Sequence, residues 1–517
     1  MRFLKRLFCG VGKGGENDGE NNGEEEKVDM QEAKVVEHKV EKPSDLAELK
    51  GLVQGKVLEK GGEGYEEATH CFNCYDPPKK PLAIVQPVTS SDAQKTVKFA
   101  RNRNLTVSVA GGRHMFDQSS MSGQVVIDLR LMRKVEVDAQ NRTAWVDGGC
   151  LAVDVDRATQ EHDLAAVNGQ YYDTGLGGFT LGGGWGLLSA QHGLSVDNLL
   201  EVEFVSADGQ LRHISEETNA EQMWLARGAG WNLGVVMRMK LQLHPLESFI
   251  VDGKKVHGYG GIMMWVMTPE NVDKIAHIMK MYIKAKENGE VAPSYNPTLA
   301  FATPPPFEGA PAFVVQQTVF GDPQIGEELT KKYFTDFLEP TMSTCRPEDL
   351  VEIQDNHTML FPPGHRYYMS VRPAMEDGFI GNDKAVDDHV RLMMLKRPRE
   401  VTSAFVFTGE AVLKVPTENT SCTALREGKM LIIAGCMEPA EGDGPSDNML
   451  TAQKWTRKYF KNEFGPTTQL VYYPNFSLWD EEGKGGPAGY RSATRERIML
   501  LKNNLDPDNV FAHTKMA

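Results

Sequence analysis

The sequence predicts an α+β protein, and three observations carry that prediction. Strand-like and helix-like segments alternate irregularly along the first half, neither as a strict strand–helix–strand repeat nor as an all-strand array. One 25-residue stretch, Gly169 to Gly193, holds nine glycines interleaved with Tyr171, Tyr172, Phe179, Leu181, Trp185, Leu187 and Leu188. From about Glu247 the texture changes to strand-like runs separated by helices and Pro-rich loops, which predicts a second unit: an antiparallel sheet with helices on one face.

Taken in order, the chain opens with MRFLKRLFCGVG, basic but without an apolar run of secretory length. A disordered terminus is the expectation; a short membrane-contacting segment with Cys9 as a lipidation site is the alternative. Residues 13 to about 45 are poor in aromatics and rich in Gly, Asn, Glu and Lys, too polar to fold alone, and are expected to be disordered. Leu82 to Pro87 reads as a strand, and Ser91-Asp92-Ala93-Gln94 as the capping box of a helix with Ala93, Val97 and Ala100 on one face. Thr106 to Val109 is the next strand, and it empties into Ala110-Gly111-Gly112-Arg113-His114. Strands are expected at 125–129 and 143–147, and a helix from Leu151 to about His162. After the glycine stretch come a hairpin (199–205, turn Asp208-Gly209, 210–214), a helix capped at Asn219 and a long strand from Gly234 to Leu243. Beyond 247 the clearest elements are a helix from Val272 to Lys286, strands at 313–319 and 430–434, an aromatic strand at 470–476 and a last helix ending at Leu505.

Composition narrows the function classes. A chain of 517 residues supports two or three domains and a large core. Its formal charge of −15 argues against a nucleic-acid partner, since phosphate backbones select for excess Lys and Arg. Seven cysteines do not make a disulfide scaffold. Cys71-Phe72-Asn73-Cys74 is a CxxC, but no second CxxC or His pair completes a zinc site, and it precedes Tyr75-Asp76-Pro77-Pro78 rather than opening a helix; a reduced, non-metal pair is expected. No apolar run reaches membrane-spanning length, so a cytoplasmic protein without a metal site is expected.

Glycine at this density costs conformational entropy, and what it offers in return is positive φ or close approach of backbone to a ligand. Freed N–H groups ring a phosphate or a flavin edge. The Walker pattern fails because no Lys follows the glycines, and the dinucleotide fingerprint fails because Thr180 stands where its third glycine belongs. Interleaved aromatics also exclude a flexible linker. A ligand-wrapping loop remains. His114 stays open between a loop histidine satisfying nearby carbonyls and a partner of the enclosed cofactor.

Ala110 to His114, the run Thr174 to Gly186, and His192-Gly193-Leu194-Ser195-Val196-Asp197-Asn198 resemble the berberine-bridge-enzyme-like flavoproteins of the vanillyl-alcohol oxidase/p-cresol methylhydroxylase superfamily, close to the 6-hydroxynicotine-oxidase-like members. Gly364 to Tyr368, Tyr473 to Phe476 and Asp506 to Phe511 are similar to later motifs of that group, and the resemblance covers about residues 70 to 515. It implies a two-subdomain FAD-binding domain of the p-cresol methylhydroxylase type over 46–246, a substrate domain over 247–465, and a segment 466–517 that returns to the first. FAD is then held by Ala110, Gly111, Gly112, Arg113 and His114, by Thr174, Gly175, Gly177, Gly178, Thr180, Gly183 and Gly184, and by Asp197, Asn198, Gly234, Val235 and Asn475. His114 matches the histidine bonded to the flavin 8α-methyl; Arg113 replaces the usual glycine before it, where it would either pair with the pyrophosphate or restrict the loop. Tyr171 stands where some members have a second, cysteinyl link, which implies attachment through His114 alone. Tyr473 is the best base, with Tyr472, Tyr368 and His365 as weaker ones. Thr174 occupies a position that influences oxygen access. The implied reaction moves hydride from a CH–OH or CH–NH carbon of a small molecule to flavin N5, and electrons then to O2. The alternatives are a dehydrogenase or oxidative cyclase using another acceptor, and a non-catalytic flavin-binding protein. Oligomeric state is left open.

Overall fold

Short apolar runs bounded by turn residues build the first of three main sheets. The computed structural model describes residues 44–304, 307, 309–374, 380–442, 444–463, 473, 475 and 490–512; the expected amino-terminal tail, most of the expected strand at 470–476, and Tyr472 lie outside the described residues. The first sheet has the order Lys56–Glu59, Ala83–Gln86, Val125–Asp128, Val107–Ala110. Its last two pairings are parallel, and its inner strands are buried throughout, which is why they read as unbroken apolar runs rather than alternating ones. The helix Ser90–Asn102 crosses between strands. Its cap is Thr89, whose hydroxyl accepts from Asp92 N, and not Ser91 as the sequence suggested. Asp92 turns inward instead, where its carboxylate accepts from the Gln54 and Val88 amides.

The second sheet is antiparallel, in the order Val135–Asp138, Thr143–Asp147, Val235–Gln242, Leu199–Val205, Leu211–Ser215. The strand Val135–Asp138 was not anticipated from the sequence, because only its two valines face inward. The helix Glu216–Ala229 begins at a Ser215 cap, four residues before the expected Asn219; Asn219, at φ −159°, marks a kink inside it. Met223 and Trp224 of this helix and Ile498 of the helix Ser492–Leu505 share one core with the sheet. Residues 510–511 stay close to the first sheet, with Val510 O accepting from Val107 N at 2.8 Å and Phe511 buried.

The third sheet has eight antiparallel strands. Met342–Ser343, Gly258–Val266, Ala312–Phe320, Thr298–Ala302, Val401–Phe407, Met430–Pro439 and His365–Ala374 lie side by side, and Arg346–Glu348 pairs with the second of these. Period-2 alternation sorts its residues by size. Trp265, Phe301, Phe313 and Phe405 pack under the helices Val272–Glu287 and Asp383–Leu395. Ala300, Ala302, Val314 and Ala404 point the other way.

One buried carboxyl ties these parts together. Asp156, in the helix Ala152–Gln160, is 1% exposed and accepts from Asn168 Nδ2 at 3.2 Å. Gly169, the next residue, has its carbonyl held by Gln354 Nε2 at 2.8 Å. Burial pushes the Asp156 carboxyl up to about 7, against the hydrogen bonds that favour its anion. The unfolded chain titrates it near ~3.9. The folded state therefore binds more protons between roughly pH 4 and 7, and stability falls as pH rises through that window. Asp156→Asn is expected to flatten this dependence: urea unfolding midpoints measured at pH 5 and pH 8 converge in the variant and differ in the parent.

Candidate functional site

Two loops approach each other backbone to backbone. The first leaves the strand Val107–Ala110 as Gly111-Gly112-Arg113-His114; the second carries Thr174-Gly175 into the short helix Leu176–Leu181. A Cβ on Gly112 would lie 2.2 Å from Gly175 N, and one on Gly175 would lie 2.2 Å from Gly112 N, so neither position admits a side chain. A Cβ on Gly177 would meet Gly148 O at 2.7 Å, whereas Gly178 has open space around it. Gly111, Gly112, Gly175, Gly177, Gly178 and Gly234 line one side of a cavity of about 280 Å³. The opposite side is the small-residue face of the eight-stranded sheet, including Ala300, Ala302, Ala404 and Gly435.

His114 stands at one end of this cavity. Its ring stacks on Phe72 (4.2 Å between centroids, 16°), and Phe72 stacks in turn on Tyr367 (5.2 Å, 8°). Tyr171 meets Phe72 edge-on at 5.3 Å. Nε2 of His114 is 2.6 Å from Asp173 Oδ1, a close contact without the alignment of a hydrogen bond. Arg113 adopts φ +58°, the left-handed region that glycine enters at least cost. Its guanidinium donates to the Ala68 carbonyl, so the cation is committed to the helix Tyr65–Thr69.

Tyr473 lies at the cavity and is 2% exposed. Its hydroxyl oxygen accepts from Trp185 N at 3.0 Å and from Asn475 Nδ2 at 3.1 Å, and Asn475 also donates to Phe179 O at 2.9 Å. Burial raises the Tyr473 phenol above its ordinary value despite these two donors. Tyr171 is raised by burial and by the Asp173 carboxylate beside it.

Of the residues expected at the cofactor, Gly111, Gly112, Arg113, His114, Thr174, Gly175, Gly177, Gly178, Gly234 and Asn475 line the cavity. Others stand behind this lining. Thr180 bonds Ser195 Oγ at 2.8 Å. A Cβ on Gly183 would meet Cys422 Sγ, and one on Gly184 would meet Ser195. Asp197 forms a buried two-point pair with Arg426, at 2.6 and 3.1 Å. Asn198 donates to the His192 and Leu194 carbonyls. Ala110 and Val235 are strand residues in the core. Tyr368 points away from the cavity, its hydroxyl accepting from Arg457 Nε at 3.2 Å; its neighbour Tyr367 faces in. His365 sits 3.1 Å from the Pro363 carbonyl and is not part of the lining. Sequence reasoning missed Phe72, Gln316 and Trp231; Tyr367 belongs to the Gly364–Tyr368 run read as pocket-lining, although Tyr368 was the tyrosine singled out as a base. Phe72 was hidden inside the CxxC, where the cysteines drew attention; these are free thiols, and burial pushes Cys71 up to about 11. Among the described residues no cluster of three His, Cys, Asp or Glu is placed to hold a metal.

FAD fits these residues. The bare glycine backbones offer N–H groups to polar atoms, and Trp231 Nε1 and Ser120 Oγ are buried at the lining with no hydrogen-bond partner among the described residues. Phe72, Phe179, Leu181 and Val236 supply apolar wall for a flat ring.

The site and fold together define a flavoprotein architecture, and comparison with known proteins agrees. Residues 81–215 match the FAD binding domain family. The chain is 37% identical over 203 residues to the FAD-linked oxidoreductase pgmH of Aspergillus terreus, covering 39% of this chain and 41% of that protein. It therefore spans about two-fifths of the length of the curated relatives it matches. In structure it is similar to 6-hydroxy-D-nicotine oxidase of Arthrobacter nicotinovorans (TM-score 0.75, 21% identity, covering 90% of this chain and 97% of that one). It is also similar to the berberine-bridge-enzyme-like protein 1 of Physcomitrella patens (TM-score 0.73, 19% identity, 90% and 97%). The resemblance read from the motifs is borne out: the chain carries an FAD binding domain, and its fold is that of the 6-hydroxynicotine oxidases and berberine-bridge-like flavoproteins. No described helix is long and apolar enough to cross a membrane.

The mutual contact of the two glycines makes a sharp test. Gly112→Ala should separate the loops and lower the FAD bound per purified chain at least tenfold, read from the flavin-to-protein absorbance ratio. Gly253→Ala, at φ +79° but with no atom within 4 Å of the added Cβ, should keep full loading.

Proposed function

We propose that the protein is an FAD-dependent oxidase acting on a CH–OH or CH–NH carbon of a small molecule. The observation that carries this reading is the convergence of both glycine loops, His114 and Tyr473 on one cavity. In this reading residues 46–246 hold FAD, residues 247–465 cover the substrate, and residues 466–517 return to the first part. His114 bonds the cofactor at its 8α-methyl, held in orientation by Phe72 and Asp173; Tyr171, lacking a thiol, leaves that bond single. The other loop residues named above, with Asn475, position the cofactor directly or brace the loops that do. Six described cysteines are free thiols, which suits a cytoplasmic setting.

Bound FAD supplies a two-electron acceptor. The substrate carbon gives up a hydride and its heteroatom a proton, leaving a carbonyl or imine, and O2 takes up two electrons and two protons as hydrogen peroxide. Tyr473 receives the heteroatom proton. The Trp185 and Asn475 donors hold its oxygen in place and favour its anion, while burial opposes ionisation. The rate of the chemical step is therefore expected to climb with pH toward an alkaline limb above the free phenol's ~10.

Denatured protein separated by electrophoresis should retain flavin fluorescence, and His114→Ala should lose it while still binding FAD when native. A fluorescent His114→Ala band rules out the histidyl bond, and a protein that takes up no FAD at all rules out the flavoenzyme. Tyr473→Phe should lower kcat by about 10²–10⁴-fold, with only the modest drop in melting temperature that orphaning the Trp185 amide brings. A loss of stability with kcat preserved would make Tyr473 a structural residue.

A further inference from the structure

Among the described residues Asp173 is the only carboxylate paired with His114, and the two come from segments that are fixed independently. The Tyr171–Thr174 turn closes on itself, Thr174 N donating to the Tyr171 carbonyl at 3.1 Å. It is pinned to the start of the helix Ala152–Gln160, whose Ala152 and Val153 amides donate to the Thr174 and Tyr172 carbonyls, both at 2.9 Å. Gly112 sits so close that a Cβ there would lie 3.0 Å from the Asp173 carbonyl oxygen. On the other side, the Arg113 carbonyl accepts from Phe72 N at 3.1 Å, and the Phe72 ring stacks on the imidazole. Both backbones are held, so the 2.6 Å between Nε2 and Oδ1 is built into the fold.

This pairing decides which imidazole nitrogen reacts. A carboxylate beside a neutral imidazole draws the ring proton to the nitrogen that faces it, here Nε2, and leaves the lone pair on the other. Nε2 and Oδ1 are both buried with no aligned hydrogen bond, and pairs of this kind tighten when a site fills. Nδ1 is then the nucleophile, and the carboxylate balances the positive charge that the ring acquires when Nδ1 bonds carbon. Asp173 has no other ion-pair partner among the described residues. Its side chain is 33% exposed, which gives the proton a way out to water.

We propose that Asp173 is the positioning residue for self-attachment of FAD: it sets the tautomer in which His114 attacks the 8α-methyl carbon through Nδ1, and it steadies the cation that results. The inference rests on the histidyl bond proposed above. The step balances with O2 as oxidant. The Nδ1 lone pair forms the new N–C bond. One methyl C–H bond breaks; its proton moves to the isoalloxazine ring and its electron pair stays there. O2 then takes up those two electrons, that proton and the Nε2 proton as hydrogen peroxide, which leaves a neutral, alkylated imidazole.

The test uses the full-length chain expressed under riboflavin limitation and then given FAD in air. Attachment is read over time as the flavin fluorescence retained by the denatured band. Total binding is read as the flavin absorbance that stays with the native protein on a desalting column. Asp173→Asn removes the charge at nearly constant shape; it is expected to bind FAD like the parent and to attach it at a rate lower by about tenfold or more. Asp173→Glu keeps a carboxylate and is expected to attach FAD faster than Asp173→Asn. Attachment by Asp173→Asn at the parent's rate overturns the proposal and leaves the histidyl bond standing. Equal slowing in the two variants also overturns it, because shape rather than charge would then be the cause. A parent that binds FAD but attaches none removes the histidyl bond and the proposal with it. Asp173→Ala opens space for a small carboxylate and serves if Asp173→Asn does not fold. Sodium formate is expected to speed its attachment relative to sodium chloride at equal concentration, and no difference between the two salts overturns the proposal.

Discussion

Gly112 and Gly175 touch through their backbones, and the rest of the site depends on that contact. Each occupies the volume where the other's Cβ would sit, so the two loops close to a separation that only unsubstituted backbone allows. Such closeness needs outside support, because glycine-rich chain has little side-chain packing of its own. The support comes from behind: the Asp197–Arg426 pair, the Thr180–Ser195 hydroxyl contact, and the Asn475 amide on Phe179 O. Arg426 and Asp197 are almost fully buried, and breaking such a pair by removing one partner costs about 3–5 kcal/mol. Residues that at first sight belong to a cofactor shell can in this way serve it by fixing backbone.

The eight-stranded sheet supplies the second constraint. It packs large side chains against helices on one face and must leave room on the other, and a pleated strand does both at once by alternation. Register then decides function residue by residue. Tyr367 faces the cavity and Tyr368 faces Arg457 on the far side; shifting the strand by one residue would exchange them. The same logic keeps Phe301 in the core and Ala300 at the cavity.

Burial sets the electrostatic character of the site. Tyr473, Tyr171 and Tyr367 are all held above the ordinary tyrosine range chiefly by desolvation. They are neutral phenols at neutral pH, and no carboxylate occurs among the described residues of the lining. The Asp156 carboxyl, buried behind the glycine stretch beside Asn168, follows the same rule and carries a proton into the neutral range.

The sequence by itself determined the local and covalent facts. It showed glycine density at 169–193, the strand emptying into Ala110–His114, the mixed order of elements, and motifs whose resemblance to a flavoprotein family implied FAD. These signals are local because steric limits on the backbone and periodic burial are written into neighbouring residues. What only the tertiary structure decided were relations between distant segments: that Gly112 meets Gly175, that Asp197 is matched by Arg426, that Phe72 rather than its flanking cysteines reaches His114, and that Tyr367 rather than Tyr368 looks inward. Period-2 alternation tells that two adjacent tyrosines face opposite ways, but not which face of the sheet the helices cover. That choice is made when the chain packs, and no residue carries it alone.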